Sequence, residues 1–404
     1  MPLLQVTLPR NCLVSSLIST LSRAQAFSGA WSGLEITVPN SWVHPAALAF
    51  LDCWGRQRVA EGKTVRFAGD PENSLRYLSR MNLFQHIGFA FDENFKRWGE
   101  AGRFMPLTLI QDAMSVKHAV DGLCDLALRQ FDNAEAFLPA MEWAVNEVVD
   151  NILVHSETAI AGAVCAQYTQ NRRLHVGICD MGRGVLASLS ENRDIPTHAE
   201  ALQLAVQRGV TRDRSVGQGN GLAGTRVIVE MNKGAMGLWS GDASFVVTNG
   251  RSLGAHPIPR VSGTGVSLTL HTDNPVDLSR TFIAERGFTF LDEERSRISE
   301  QGGLVVKDEC IHQGHRDMAT PLRRKVTTLL RDMDAPFVID FAGVNGPSSS
   351  FLDELLAKLV IELGETDFRV KVQIVGMSQQ VKDMANVVIA QRRGSEVGSL
   401  GEQQ

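Results

Sequence analysis

The hydrophobic pattern changes period along the chain and divides it into three stretches. Alternation over residues 4–8 predicts a strand, and Asn11 is placed to cap a helix running to Ala24. Residues 34–38 and 64–68 read as two more strands. Between them Pro45 suits a helix first turn, and residues 46–57 carry apolar side chains at helical spacing. Gly69-Asp70-Pro71 breaks the third strand, and a helix to Met81 follows. Strands alternating with helices predict an α/β module over residues 1–100. In the middle stretch, residues 116–131 and 136–155 have helical spacing, 174–179 read as a strand and 222–231 as a helix. In the last, Val305 and Val306 close a strand. A helix (318–333), a strand (337–341), a helix (351–363), a strand (370–375) and a helix (379–390) follow. From Arg392 onward Gly, Ser, Glu and Gln dominate, which predicts a flexible tail over 394–404.

At 404 residues there is room for two or three domains. A hydrophobic content of 44% and a charged content of 21% suit a folded soluble protein. The net charge of -5 argues against a general nucleic-acid binder, because the basic runs (Arg208, Arg212 and Arg214; Arg323, Arg324 and Lys325) are short. None of the six cysteines forms a CxxC pair, and most lie in apolar runs, so reduced buried thiols and a cytoplasmic setting are expected. No apolar run approaches the roughly 18–20 residues that cross a bilayer, and no signal-peptide pattern opens the sequence.

Three motifs in the middle stretch carry chemistry. Glu147 and Asn151 are four apart and share one helix face, which His155 continues. A carboxylate there can activate water, and an amide oxygen one turn on can ligate magnesium beside phosphate oxygens. Asp180 stands where a strand hands over to a loop, followed by Gly182 and Gly184. A carboxylate accepts from an exocyclic amine such as adenine's, and glycines let backbone approach a flat ring. Gly217, Gly219 and Gly221 precede Leu222 and a helix, an arrangement that points N–H groups at an anion. No GKS or GKT follows, so it is not a Walker A loop. Taken singly, each motif is as well explained by a solvated face, an ordinary turn or a hinge.

Together, and in this order, they resemble the GHKL ATPase superfamily over residues 104–272, closest to the branch of anti-sigma-factor serine kinases. The resemblance implies a central GHKL (Bergerat) α/β sandwich, residues 104–275, that binds ATP and Mg. Glu147 would be the general base and Asn151 the magnesium ligand. Asp180 would hold the adenine amine, with Gly182 and Gly184 shaping its pocket. Gly217, Gly219, Gly221 and Leu222 would wrap the phosphates under a lid of residues 185–216. Thr264, in a Gly-Thr-Gly turn, would help hold adenine, and Arg208, Arg212 and Arg214 would meet the γ-phosphate or form a solvated loop. His118 lacks the context of a histidine kinase's phosphoacceptor and reads as structural.

Residues 287–393 resemble a STAS-like domain, the fold of anti-sigma-factor antagonists, through Val338-Ile339-Asp340-Phe341, the serine run 348–350 and Phe351-Leu352-Asp353-Glu354-Leu355. In true antagonists a serine at this junction is phosphorylated, which makes Ser349 and Ser350 candidate acceptors; plain helix capping explains the same residues. The N-terminal module echoes the plan. Its Asn40-Ser41-Trp42-Val43-His44-Pro45-Ala46-Ala47 occupies the corresponding strand-to-helix junction, with alanine at the serine positions. The expected whole is an α/β and α+β multidomain regulator with STAS-like modules at both ends and a protein partner, with homodimerisation left open. Three functions compete: an ATP-hydrolysing switch, a serine kinase acting on a STAS domain, and a non-catalytic nucleotide-bound scaffold.

Overall fold

The computed structural model describes residues 3–28, 30–97, 103–131, 134–210, 221–276, 303–310, 313–330 and 336–401. Helices and three sheets make a mixed α/β protein. It divides into two units, Met1–Leu138 with Asn151–Val206 and Val229–Pro275, and Pro139–Asp150 with Gln207–Ile228 and Val276–Gln404.

The first unit opens with β1 (Leu3–Thr7), β2 (Gly33–Val38) and β3 (Thr64–Gly69), parallel and in that order. Helices α1 (Val14–Arg23), α2 (Pro45–Ala60), α3 (Ser74–Arg80) and α4 (Leu83–Ile87) connect and cover them. The expected Asn11 cap is displaced: Leu13 is the N-cap, and the Asn11 carbonyl accepts the Ser16 hydroxyl at 3.0 Å. Pro45 does start α2, and the His44 ring nitrogen caps it by accepting the Ala46 N–H at 3.0 Å.

A second sheet follows, antiparallel throughout, from β4 (Phe104–Ile110), β5 (Gly162–Thr169), β6 (Arg173–Asp180), β7 (Ala235–Thr248) and β8 (Arg251–His271) in the order β4-β5-β6-β8-β7. The sequence reading had no β4 or β5. Pro106 sits in β4 beside a register shift, and the first five residues of β5 are buried on both faces, so neither shows clean alternation. Helix α2 lies on this sheet. Its residues from Pro45 to Gly55 are all buried, and its start meets β6 where Gly177 has no side chain; a Cβ there would stand 2.3 Å from the Pro45 carbonyl. The one charge in that buried run, Asp52, is paired with Arg56 at 2.8 Å and His86 Nδ1 at 2.9 Å.

Helix α5 (Ala113–Gln130) begins with a capping box between Asp112 and Ser115. His118 is exposed on it, so the structural role expected for that residue has no packing behind it. Helix α6 (Ala134–His155) belongs to the first unit at its ends and to the second over Pro139–Asp150. Within residues 185–210 of the expected lid, α7 (Gly184–Leu189) and α8 (His198–Ala205) are formed, and α8 packs along β7.

The second unit holds β9 (Gly303–Val305), β10 (Phe337–Asp340) and β11 (Val372–Val375), again parallel with the middle strand second in sequence. Around them lie α9 (Gly221–Met231) up to Ile228, α10 (Val306–Glu309) and α11 (Arg316–Leu329). Then come α12 (Ser349–Leu352), a π turn (Asp353–Ala357), α13 (Lys358–Leu363), α14 (Glu365–Lys371) and α15 (Gln379–Gly401). The last strand begins at Val372, not at residue 370, because α14 takes up the two preceding residues. Helix α15 continues to Gly401, past the point where the composition predicts a loose tail. Trp143 of α6 is fully buried in the same core as Phe337, Phe341 and Phe351. Its ring lies where a side chain at Gly224 would be, 2.2 Å from a Cβ there.

All six cysteines are free, and all but Cys124 are buried. Among the described residues no helix is long and apolar enough to cross a membrane.

Candidate functional site

The residues singled out by the sequence fall into both units. In the first unit, Asp180 closes β6 and pairs in register with Thr264 on β8. Thr264 therefore lies within a strand and not in the turn that its flanking glycines predict; Gly263 takes φ +75 and its missing Cβ would lie 2.0 Å from the Asp180 carbonyl. The Asp180 carboxylate is 6% exposed and accepts the Gly182 N–H at 2.7 Å. Burial pushes it up to about 6, against the pull of the Gly182 and Thr264 N–H groups. Gly182 is required by protein backbone, since its Cβ would fall 2.0 Å from the Ser156 carbonyl oxygen, and Gly184, at φ +80, faces the Ser240 hydroxyl. Ser240, which the sequence reading missed, ties the corner together. It accepts from Val185 N–H at 3.0 Å, donates to the Gly263 carbonyl at 2.8 Å and lies 3.5 Å from the Thr264 hydroxyl. Asn151 is half-buried, and its amide makes no hydrogen bond among the described residues.

In the second unit, Glu147 is 8% exposed on α6. One carboxylate oxygen, Oε1, accepts both the Ser349 N–H at 2.6 Å and the Ser349 hydroxyl at 2.8 Å. Gly221 closes on the other, Oε2; a Cβ at Gly221 would lie 2.7 Å from it. Leu222 follows, half-buried, in the first turn of α9. Burial raises the Glu147 pKa while the two Ser349 donors lower it, and the net direction is up. One turn on, Asp150 Oδ2 accepts the Ser350 hydroxyl at 3.4 Å, and His315 Nε2 stands 3.2 Å from Oδ1. That last contact has ion-pair distance but not hydrogen-bond alignment, so Oδ1 is left without a bond. Burial, then the neighbouring Glu147 charge, raises the Asp150 pKa well above the usual carboxylate range. The turn that supplies these donors is itself fixed. Ser348 caps α12 by accepting the Phe351 N–H at 3.0 Å, and Asn146 of α6 donates to the Gly346 carbonyl at 3.2 Å. Gly217, Gly219, Arg212 and Arg214 lie outside the described residues.

Residues 318–382 match the family model of a STAS-like domain of unknown function (DUF4325). No curated protein matches the chain. The match confirms the C-terminal module and places the serine turn inside it; it does not extend to the N-terminal module or to the middle stretch.

Within the STAS-like domain a charge network backs the serine turn. Asp353 and Glu354, in the π turn, are 0% and 2% exposed. Arg316 bridges them at 3.0 and 3.1 Å, Arg392 also holds Asp353, and Arg323 and Lys358 hold Glu354 at 3.0 and 2.7 Å. Burial pushes Glu354 up, but Lys358 and Arg323 outweigh it and bring it to about 2. Arg323, from the short basic run 323–325, is a partner of this network. The acidic residues the serines touch are Glu147 and Asp150, not the Asp353 that sequence proximity suggests. Four-residue spacing along α6 marks Glu147 and Asn151, but nothing in the sequence reveals a contact between positions 147 and 349.

Among the described residues no group of three or more His, Cys, Asp or Glu could hold a metal ion. Asn151 offers a single open amide oxygen, which suits an ion that keeps waters and phosphate oxygens for the rest of its shell.

Proposed function

We propose that this protein is an ATP-binding regulator of the GHKL type, whose Mg-dependent ATP turnover is coupled to its STAS-like domain. The observation that carries the reading is the buried carboxylate of Asp180 beside Thr264 at the end of β6. Nearly without solvent, it accepts the Gly182 N–H, and a carboxylate is also the acceptor an adenine amine requires. Glu147, whose pKa burial raises, serves as the base. It takes a proton from water as the water oxygen bonds to the terminal phosphorus and ADP leaves. Asn151 would hold a magnesium ion, which would supply charge neutralisation for the phosphates. The STAS-like domain is the surface through which a protein partner senses or sets the state.

A serine-kinase reading has one observation of its own: the Ser349 hydroxyl donates to Glu147 at 2.8 Å, as a nucleophile does to its base. One experiment separates the readings. The purified chain is titrated with Mg-ATP by calorimetry, then incubated with ATP labelled on the γ-phosphate. Free phosphate lost in Glu147→Ala supports the ATPase. Label on protein, lost in Ser349→Ala, supports the kinase. Equal ATP affinity in wild type and Asp180→Ala would sink the site assignment.

A further inference from the structure

We propose that the Ser348–Ser350 turn of the STAS-like domain is an autoinhibitory latch, in which Ser349 occupies the carboxylate of Glu147 and withholds it from water. The proposal deepens the ATPase reading and rests on it. Three features carry it. Both donors of one residue, N–H and Oγ, converge on the same Glu147 oxygen, so the lone pairs a water would use are taken. Gly221 closes on the second oxygen, where even a methyl group would stand 2.7 Å away. The turn is anchored next to the contact, by Asn146 donating to the Gly346 carbonyl and by the Phe351 N–H donating to the Ser348 hydroxyl. Both acceptor positions of Oε1 are thus taken while the turn is seated, and the approach to Oε2 is narrowed by Gly221.

The bonds that hold Glu147 and Asp150 are a few hydroxyl and N–H contacts to carboxyl groups, while Phe351 and Leu352 beyond them stay packed in the core with Trp143. The cost of freeing a carboxylate from such donors is modest, about a tenfold change in population for each bond lost. A partner that binds the turn better in the withdrawn state would therefore switch Glu147 on.

Ser349 is the first residue of α12, which allows an unusually clean test. Ser349→Ala deletes the Oγ bond and keeps the N–H. Ser349→Pro deletes both donors, yet proline suits a first helical position, and Ser348 already holds the extended conformation (φ -69, ψ 159) that a following proline demands. Ser350→Ala leaves both Glu147 bonds in place and is the control. Full-length chains are treated, without nucleotide, with a water-soluble carbodiimide and an amine, and amidation of Glu147 is read by peptide mass spectrometry. ATP affinity and phosphate release are measured in parallel. The latch predicts protection of Glu147 in wild type and Ser350→Ala. Labelling and phosphate release rise about tenfold in Ser349→Ala and about a hundredfold in Ser349→Pro, with unchanged ATP affinity. Equal labelling in all four chains overturns the latch, as does exposed Glu147 with bound ATP and no gain in phosphate release. Label transferred to Ser349 in wild type overturns it too, because the hydroxyl is then a substrate. Failure of every chain to bind ATP is a different result: it removes the nucleotide reading, and the labelling pattern alone then upholds or overturns the masking of Glu147.

Discussion

Asp180→Asn should make the unliganded protein more stable while weakening ATP binding. The carboxyl moves from an ordinary value of 3.8 to about 6 on folding, because burial penalises the charge. Two pKa units correspond to about 3 kcal/mol. Since the folded-state value is raised, the folded protein holds the proton more tightly. The advantage is full below the unfolded value and is lost as pH rises through about 6. At pH 7 the ionised carboxylate therefore costs about 3 kcal/mol relative to a neutral group of its size. Asparagine removes that cost but turns an NH2 group toward a backbone donor, Thr264 N–H or Gly182 N–H, forfeiting ~1 kcal/mol. A net gain of about 2 kcal/mol at pH 7 remains. Urea unfolding at pH 4, 5, 6 and 7 measures it. Wild-type stability should carry a component that falls between pH 4 and pH 6, and the variant should lack it, so that the two curves separate as pH rises. Calorimetry on the same samples should show lost ATP affinity in the variant that has gained stability. Destabilisation of Asp180→Asn at pH 7, or parallel pH curves, would refute the argument that this carboxylate is kept for binding at the expense of folding.

Other substitutions test the packing that positions the two sites. Gly177→Ala drives a methyl group into the Pro45 backbone at 2.3 Å. It should cost about 3 kcal/mol and expose α2 to limited proteolysis. Asp52→Ala strips the partner from Arg56 in a buried run, an expected loss of about 3–5 kcal/mol by chemical denaturation. Trp143→Ala opens a cavity in the core of the second unit and should cost about 3–5 kcal/mol, read as a lowered urea midpoint with α9 amides less protected from exchange.

What the sequence reveals follows from how far apart the interacting residues are. The N-terminal strands and α2 are legible because their apolar runs are bounded by Pro45 and by Gly69-Asp70-Pro71. The strand ending at Asp180 and the helices on either side are legible for the same reason. Buried strands are not: Ala163-Val164-Cys165-Ala166 has no polar face because α2 covers one side of the sheet, a fact set by residues more than a hundred positions away. The candidate site shows the same split. Asp180 and Gly182 are local and visible, whereas Ser240 and the Glu147–Ser349 contact are made only by folding. The glycines mislead in their reason more than in their place. Gly182 and Gly184 are glycine because Ser156 and Ser240 leave no room, which would hold with or without a nucleotide.

The two parallel sheets allow a comparison within the molecule. Each has its strands in sequence order, and in each the helix after the middle strand begins with the residues that meet another part of the chain. In the N-terminal sheet this first turn is Pro45-Ala46, pressed onto bare backbone at Gly177, with Cys165 donating to the Pro45 carbonyl at 3.3 Å. That contact is close and made largely by backbone and by buried alanines, with the Cys165 thiol and the His44 cap at its edge. In the C-terminal sheet the first turn is Ser349-Ser350, set against Glu147 and Asp150. There the contact consists of hydroxyls on carboxylates whose protonation is already shifted by burial. One strand-to-helix junction thus meets backbone in the first case and carboxyl groups in the second. The difference lies in the residues that start the helix. Replacing Ser349-Ser350 by alanines should therefore loosen the second contact without giving it the character of the first, because an alanine turn over Glu147 and Asp150 leaves two buried carboxylates without their hydroxyl donors.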